Sequence, residues 1–116
     1  MTNITYKELL FTLESILLNN GFENQDAKLC AEIFAENTLV GVHSHGVNRF
    51  KGFIGLVKSE HINPKAKPAL ENSFNAFEKW NGNLGAGPLN ALSVSKRAQE
   101  LAKEFGIGCV DRKSVV

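Results

Sequence analysis

The residues best suited to chemistry in this chain stand together between positions 41 and 50. The run Gly41-Val42-His43-Ser44-His45-Gly46-Val47-Asn48-Arg49-Phe50 places an imidazole at His45 and a guanidinium at Arg49, four residues apart. On a helical start, groups at that spacing share a face, about 40° apart on the wheel. An arginine grips a carboxylate through two parallel hydrogen bonds. A histidine titrates where it can hand a proton to a neighbouring oxygen or take one back. Ser44 and Asn48 add neutral hydrogen-bonding groups. The set suits an anionic carbonyl substrate. On spacing alone, however, such a pair is more often a solvated surface or a cap, and both readings stay open at this point.

Two other groupings compete for attention. His43 and His45, with His61 or a cysteine, are a conceivable zinc set, but i, i+2 spacing splays the imidazoles and no CxxC or HxxxH pair supports them. No metal site is expected, and His43 reads as a surface residue. The segment Gly82-x-x-Gly85-x-Gly87 lacks the Gly-x-Gly-x-x-Gly spacing of a dinucleotide fingerprint. The helix start behind it could face an anion, yet a structural turn is the expectation.

The elements that must position these groups are legible from periodicity. Thr5-Tyr6-Lys7-Glu8 has the form of a capping box, followed by Tyr6, Leu9, Leu10, Leu13 and Leu17 on one helical face, with Asn20-Gly21 as the stop. A second helix starts near Asn24 or Asp26 and runs towards Val40, buried along Ala27, Cys30, Ala31 and Phe34, widened by Leu29 and Ile33 and ended by Gly41. A third follows the histidine segment, with Ser44 as its N-cap candidate and Phe50, Phe53, Ile54 and Val57 as its buried face. Pro64 and Pro68 make Lys58–Glu71 an extended connector. Ala69 to Trp80 reads as a strand or hairpin. A glycine-rich turn then leads to Pro88 at the start of a helix carrying Ala91, Val94, Ala98, Leu101, Ala102 and Phe105. Gly106 ends it, and Ile107-Gly108-Cys109-Val110 reads as a short buried strand. The fold class is α+β: a three-helix subdomain over residues 1–60, then strand–helix–strand over 61–116, the start of an α/β part.

Composition narrows the partners. The chain has 116 residues, 43% hydrophobic and 22% charged, with net charge +1 from 13 basic and 12 acidic residues. That is one ordinary globular domain. No cationic face is evident for nucleic acid or an anionic membrane, and no apolar run approaches the roughly 20 residues of a membrane span. The first twenty residues hold no apolar signal core. Cys30 and Cys109 read as two reduced, buried thiols, and a cytoplasmic location follows.

The string Ser44-His45-Gly46-Val47-Asn48-Arg49-Phe50 resembles the Ser-His-Gly-x-x-Arg signature of the malate/L-lactate dehydrogenase family, which lacks a Rossmann fold. The fuller form beginning Gly41-Val42 is similar to its 2,3-diketo-L-gulonate reductase branch. The likeness continues in order through Gly82, Gly85, the Ala91–Phe105 helix and Gly106-Ile107-Gly108. It implies NADH- or NADPH-dependent reduction of a small-molecule 2-oxo acid, with His45 as the proton donor and acceptor. Arg49 would orient the substrate carboxylate, and Ser44 and Asn48 would add hydrogen bonds. Hydride would pass from the nicotinamide to the carbonyl carbon while the histidine protonates the alkoxide. Members act as homodimers whose sites draw on both subunits.

Two positions depart from the family pattern. Val40 stands where many members carry arginine. After Gly108 the family continues to an Arg-Asn-x-Asn-His segment and a large cofactor domain, whereas this chain reads Cys109-Val110-Asp111-Arg112-Lys113-Ser114-Val115-Val116. The expectation is a truncated N-terminal portion lacking the cofactor domain. It would be inactive alone because nothing holds a nicotinamide against the carbonyl, and marginally stable because apolar helix faces lose their cover. The alternative is a non-catalytic helical binding module. The choice of 2-oxo acid and of NADH or NADPH stays open.

Overall fold

Thr5 opens the first helix by exchanging bonds with Glu8: its hydroxyl accepts the Glu8 N–H at 3.1 Å and its own N–H donates to the Glu8 carboxylate at 3.0 Å. The computed structural model describes residues 3–113 and divides the chain into two compact units, Met1–Pro64 and Lys65–Val116. The first unit is helical. Helix α1 spans Tyr6–Asn19, α2 spans Asn24–Leu39, a single 3-10 turn covers His43–His45, and α3 spans Val47–Lys58. Helices α1 and α2 each give way to a glycine in the left-handed conformation, Gly21 at φ 94° and Gly41 at φ 88°.

Most of the periodic positions become core, while Tyr6, Leu9, Leu10, Leu29 and Ile33 are only half-buried. Leu13 and Leu17 of α1, Ala27, Cys30, Ala31, Phe34 and Ala35 of α2, and Phe50, Phe53, Ile54 and Val57 of α3 are all buried. Phe53 lies among the rings of Phe22, Phe34 and Phe50, and against it packs Phe34. Its centroid lies 5.1 Å from Phe50, edge-on, and 5.2 Å from Phe53, while Phe22 reaches Phe53 at 6.1 Å. Edge-to-face and tilted aromatic pairs at such distances add to the area they bury. Cys30 is fully enclosed, and burial, reinforced by the Asp26 carboxylate, pushes its thiol up to about 12. It is an inert apolar filler.

The second unit is a strand–helix–strand assembly. Strands β1 (Ala69–Phe74) and β2 (Phe77–Asn81) form an antiparallel hairpin with an irregularity between Leu70 and Asn72. Helix α4 (Gly87–Phe105), with Pro88 in its first turn and Gly106 left-handed at its end, leads to β3 (Cys109–Lys113), which pairs with β2 in parallel. The chain is therefore α+β.

Two expectations are corrected here. The last strand is not a buried run starting at Ile107. It begins at Cys109, and Ile107 is 74% exposed. Along β3 only the alternate residues Val110 and Arg112 are half-buried, as the two-residue period of a strand requires when one face is covered. For the same reason Cys109 is exposed rather than buried, and both cysteines are free thiols.

Glu78 of β2 is the buried charge of this unit, only 3% exposed. Arg97 of α4 grips it with two hydrogen bonds of 2.7 Å, and the Trp80 indole donates a third at 3.0 Å. The bonds from Arg97 hold the Glu78 carboxyl below its ordinary range; burial opposes them and the Trp80 bond assists. A carboxyl with a lowered folded-state pKa stabilises the fold above its unfolded value, and that contribution is lost as pH falls through the folded value.

Two outcomes follow from this packing. Replacing Phe53 with alanine should destabilise the helical unit by about 3–4 kcal/mol, read as an earlier far-UV denaturation midpoint. Glu78→Gln should cost roughly 2–3 kcal/mol at neutral pH and flatten the loss of stability below about pH 5. The single tryptophan, Trp80, reports this unit directly by fluorescence.

Candidate active site

The site lies where the chain leaves α2 and enters α3. Beyond Gly41 the Val42 N–H returns to the Asn37 carbonyl at 2.8 Å, and the 3-10 turn closes with His45 N–H on the Val42 carbonyl at 3.2 Å. Gly46 then breaks the path at φ −104° and ψ −140°, and α3 starts at Val47. His45 and Arg49 are therefore not two points on one helix, as the spacing suggested. One belongs to the 3-10 turn and the other to the first turn of α3.

Ser44 nevertheless joins them. Its hydroxyl is 3.0 Å from His45 Nδ1, and its carbonyl accepts from Arg49 Nε at 3.4 Å. Among the described residues this leaves His45 Nε2 and the two terminal nitrogens of Arg49 without a protein partner. Such an arrangement can offer two parallel donors to a carboxylate and a separate proton-exchanging nitrogen nearby. Ser44, His45, Asn48 and Arg49 are all exposed. Asn48 makes no side-chain hydrogen bond to the other three, and His43 is exposed as expected.

Ser44 is not the cap of α3. The residue at the cap position is Gly46, which has no side chain to offer. The hydroxyl that accepts the Val47 N–H, at 2.9 Å, comes from Thr38 in the last turn of α2. Thr38 in turn donates to the Phe34 carbonyl at 2.8 Å, and its neighbour Asn37 donates from Nδ2 to the His45 carbonyl at 3.1 Å. A Cβ on Gly46 would collide with Thr38 Oγ1 and stand 3.0 Å from the Thr38 backbone nitrogen. The motif glycine is thus required by a close approach. Neither Asn37 nor Thr38 was singled out from sequence. Two polar side chains in the final turn before Gly41 were the available signal.

The glycine-rich turn of the second unit is filled by its own chain. A Cβ on Gly82 would lie 2.5 Å from Asn90 Nδ2 and 2.6 Å from the Lys113 carbonyl. Gly82 N–H donates to that carbonyl at 3.0 Å, and the buried Asn90 donates to the Gly82 carbonyl at 3.2 Å. Gly82 thus admits the Asn90 amide and the Lys113 carbonyl where a side chain would stand. Among the described residues, no three His, Cys, Asp or Glu side chains come together as a metal set, and no helix is long and apolar enough to cross a membrane.

Comparison with known proteins gives this geometry its context. Over 107 residues the chain is 40% identical to 2,3-diketo-L-gulonate reductase of Escherichia coli O1:K1 / APEC, covering 92% of this chain and 32% of that enzyme. The crystal structure of malate dehydrogenase from Entamoeba histolytica superposes with a TM-score of 0.89 at 30% identity, covering 97% of this chain and 32% of that one. Malate dehydrogenase from Pyrococcus horikoshii OT3 gives a TM-score of 0.92 at 27% identity, covering 97% and 33%. The chain spans about a third of the length of the relatives it matches. With residues 4–115 matching the family profile throughout, the chain belongs to the malate/L-lactate dehydrogenase family.

Proposed function

We propose that this chain carries the acid-binding and proton-transfer groups of a nicotinamide-dependent 2-oxo acid reductase. His45 is the proton donor and acceptor, Arg49 the anchor of the substrate carboxylate, and Ser44 the residue that holds both. Asn48 adds a neutral hydrogen bond to the substrate. The observation that carries this reading is the double engagement of Ser44, with its hydroxyl on the His45 ring and its carbonyl under the Arg49 guanidinium. A 2-oxo acid presents a carbonyl oxygen directly beside its carboxylate. Arg49 takes the carboxylate through its free terminal nitrogens, and His45 Nε2 delivers a proton to the oxygen that becomes the hydroxyl. In the reverse direction the same nitrogen removes it. The likeness to 2,3-diketo-L-gulonate reductase favours a sugar-derived diketo acid over a simple 2-oxo acid.

NADH or NADPH is the hydride source in this reading, and the contacts to it belong to the portion of the relatives that this chain does not span. The whole protein would be a cytoplasmic homodimer, with neither nucleic acid nor membrane as a partner. The homodimer rests on family membership, and the location and excluded partners on composition and charge. In this reading the 116-residue chain by itself binds the acid without reducing it, because hydride transfer needs a nicotinamide held against the carbonyl.

Oxamate, an unreactive 2-oxo acid mimic, provides the test. Titrated into labelled protein, it should shift the Arg49 Nε and His45 ring signals together. Arg49→Lys should weaken binding by roughly tenfold, since an ammonium loses the two-pronged contact. Signals that stay put, or equal affinity after Arg49→Gln, would overturn the assignment. Mixed with a reduced nicotinamide and a 2-oxo acid, the chain alone should leave the nicotinamide absorbance unchanged, and measurable turnover would refute that part.

A further inference from the structure

We infer that Asn37 and Thr38, in the last turn of α2, are the positioning residues of this site and set where His45 and Arg49 stand without touching the substrate. The inference rests on the reading of His45 and Arg49 given above. Two adjacent side chains reach three consecutive residues of the site segment. Asn37 Nδ2 holds the His45 carbonyl at 3.1 Å, Thr38 fills the space that a side chain on Gly46 would need, and the Thr38 hydroxyl accepts the Val47 N–H at 2.9 Å. The Asn37 main-chain carbonyl takes the Val42 N–H at 2.8 Å, so the segment is fastened at both ends.

The fastening is rigid because the Thr38 hydroxyl uses both its roles. It accepts from Val47 and donates to the Phe34 carbonyl at 2.8 Å, which fixes its hydrogen as well as its oxygen. Phe34 is buried and packs against the rings of Phe50 and Phe53, so the anchor is tied to the aromatic core. From there the chain of contact is short. Val47 begins the helix whose first turn carries Arg49, and the His45 carbonyl is one residue from the Ser44 carbonyl that Arg49 Nε meets. A displacement of about 1 Å at reacting groups is enough to cost two orders of magnitude in rate.

A merely structural cap would change stability and leave the site alone, so the readouts are local. The full chain is compared with Thr38→Val, which keeps the shape and loses the hydroxyl, with Thr38→Ser, which keeps the hydroxyl, and with Asn37→Ala. Thr38→Val should raise amide exchange at Val47 at least tenfold, shift the His45 ring and Arg49 Nε resonances, and weaken oxamate roughly fivefold to tenfold. Thr38→Ser should restore all three. Asn37→Ala leaves the Thr38 contacts in place and should move His45 while sparing Val47. The Leu9 amide, bonded within the cap of α1, should stay unchanged in every variant. The inference is overturned if Thr38→Val leaves the His45 and Arg49 resonances where they were, or if Thr38→Ser behaves as Thr38→Val does. Should the unsubstituted chain not bind oxamate, the functional reading fails by itself, and the exchange and resonance data still decide the role of Asn37 and Thr38.

Discussion

How closely residues 44–47 can approach the last turn of α2 governs the geometry of the candidate site. Gly46 admits the Thr38 hydroxyl into space that any other residue would fill with its own Cβ. Were the segment to lift away, the Val47 N–H and the His45 carbonyl would lose their partners together. The glycine between the histidine and the arginine is thus a steric condition for a short, doubly bonded crossing from one helix to the next. Ser44 gains from the same crossing, because only a tight turn brings its carbonyl within reach of Arg49 Nε.

The two units stabilise themselves by different means. In the helical unit the binding force is aromatic and aliphatic, with Phe34, Phe50 and Phe53 in mutual contact and Phe22 against Phe53. Removing large apolar area from water dominates there. In the second unit a buried carboxylate is tolerated because Arg97 and Trp80 satisfy it. That pair fixes the pairing of helix and sheet, since a buried carboxylate left without its arginine is costly. It is a device of specificity as much as of stability.

Most of the scaffold could be read from residue order. The capping box at Thr5, the stripes on the first three helices, the strand or hairpin expected over Ala69 to Trp80 and the Pro88 helix all depend on local spacing, and local spacing survives folding. What could not be read lies in contacts between distant positions. Thr38 caps a helix that begins nine residues later, and Glu78 finds Arg97 nineteen residues on; neither has a periodic trace. His45 and Arg49 do not share one helical face, because Gly46 breaks the helix between them. What they share is Ser44, whose hydroxyl meets the His45 ring and whose carbonyl meets Arg49 Nε. The apolar run at Ile107 misled because apolar composition does not reveal how many faces of a strand are covered.

The parallel pairing of β2 with β3 also sets an order of events. Phe77 pairs with Cys109, so the sheet cannot close until the whole of α4 has left the ribosome. Bringing such distant positions together carries a closure entropy of roughly 3 kcal/mol before any strand bond repays it. The crossing that bears His45 and Arg49 closes over only the nine residues from Thr38 to Val47, where closure costs less. The β1–β2 hairpin, by contrast, keeps one edge open until β3 pairs with it.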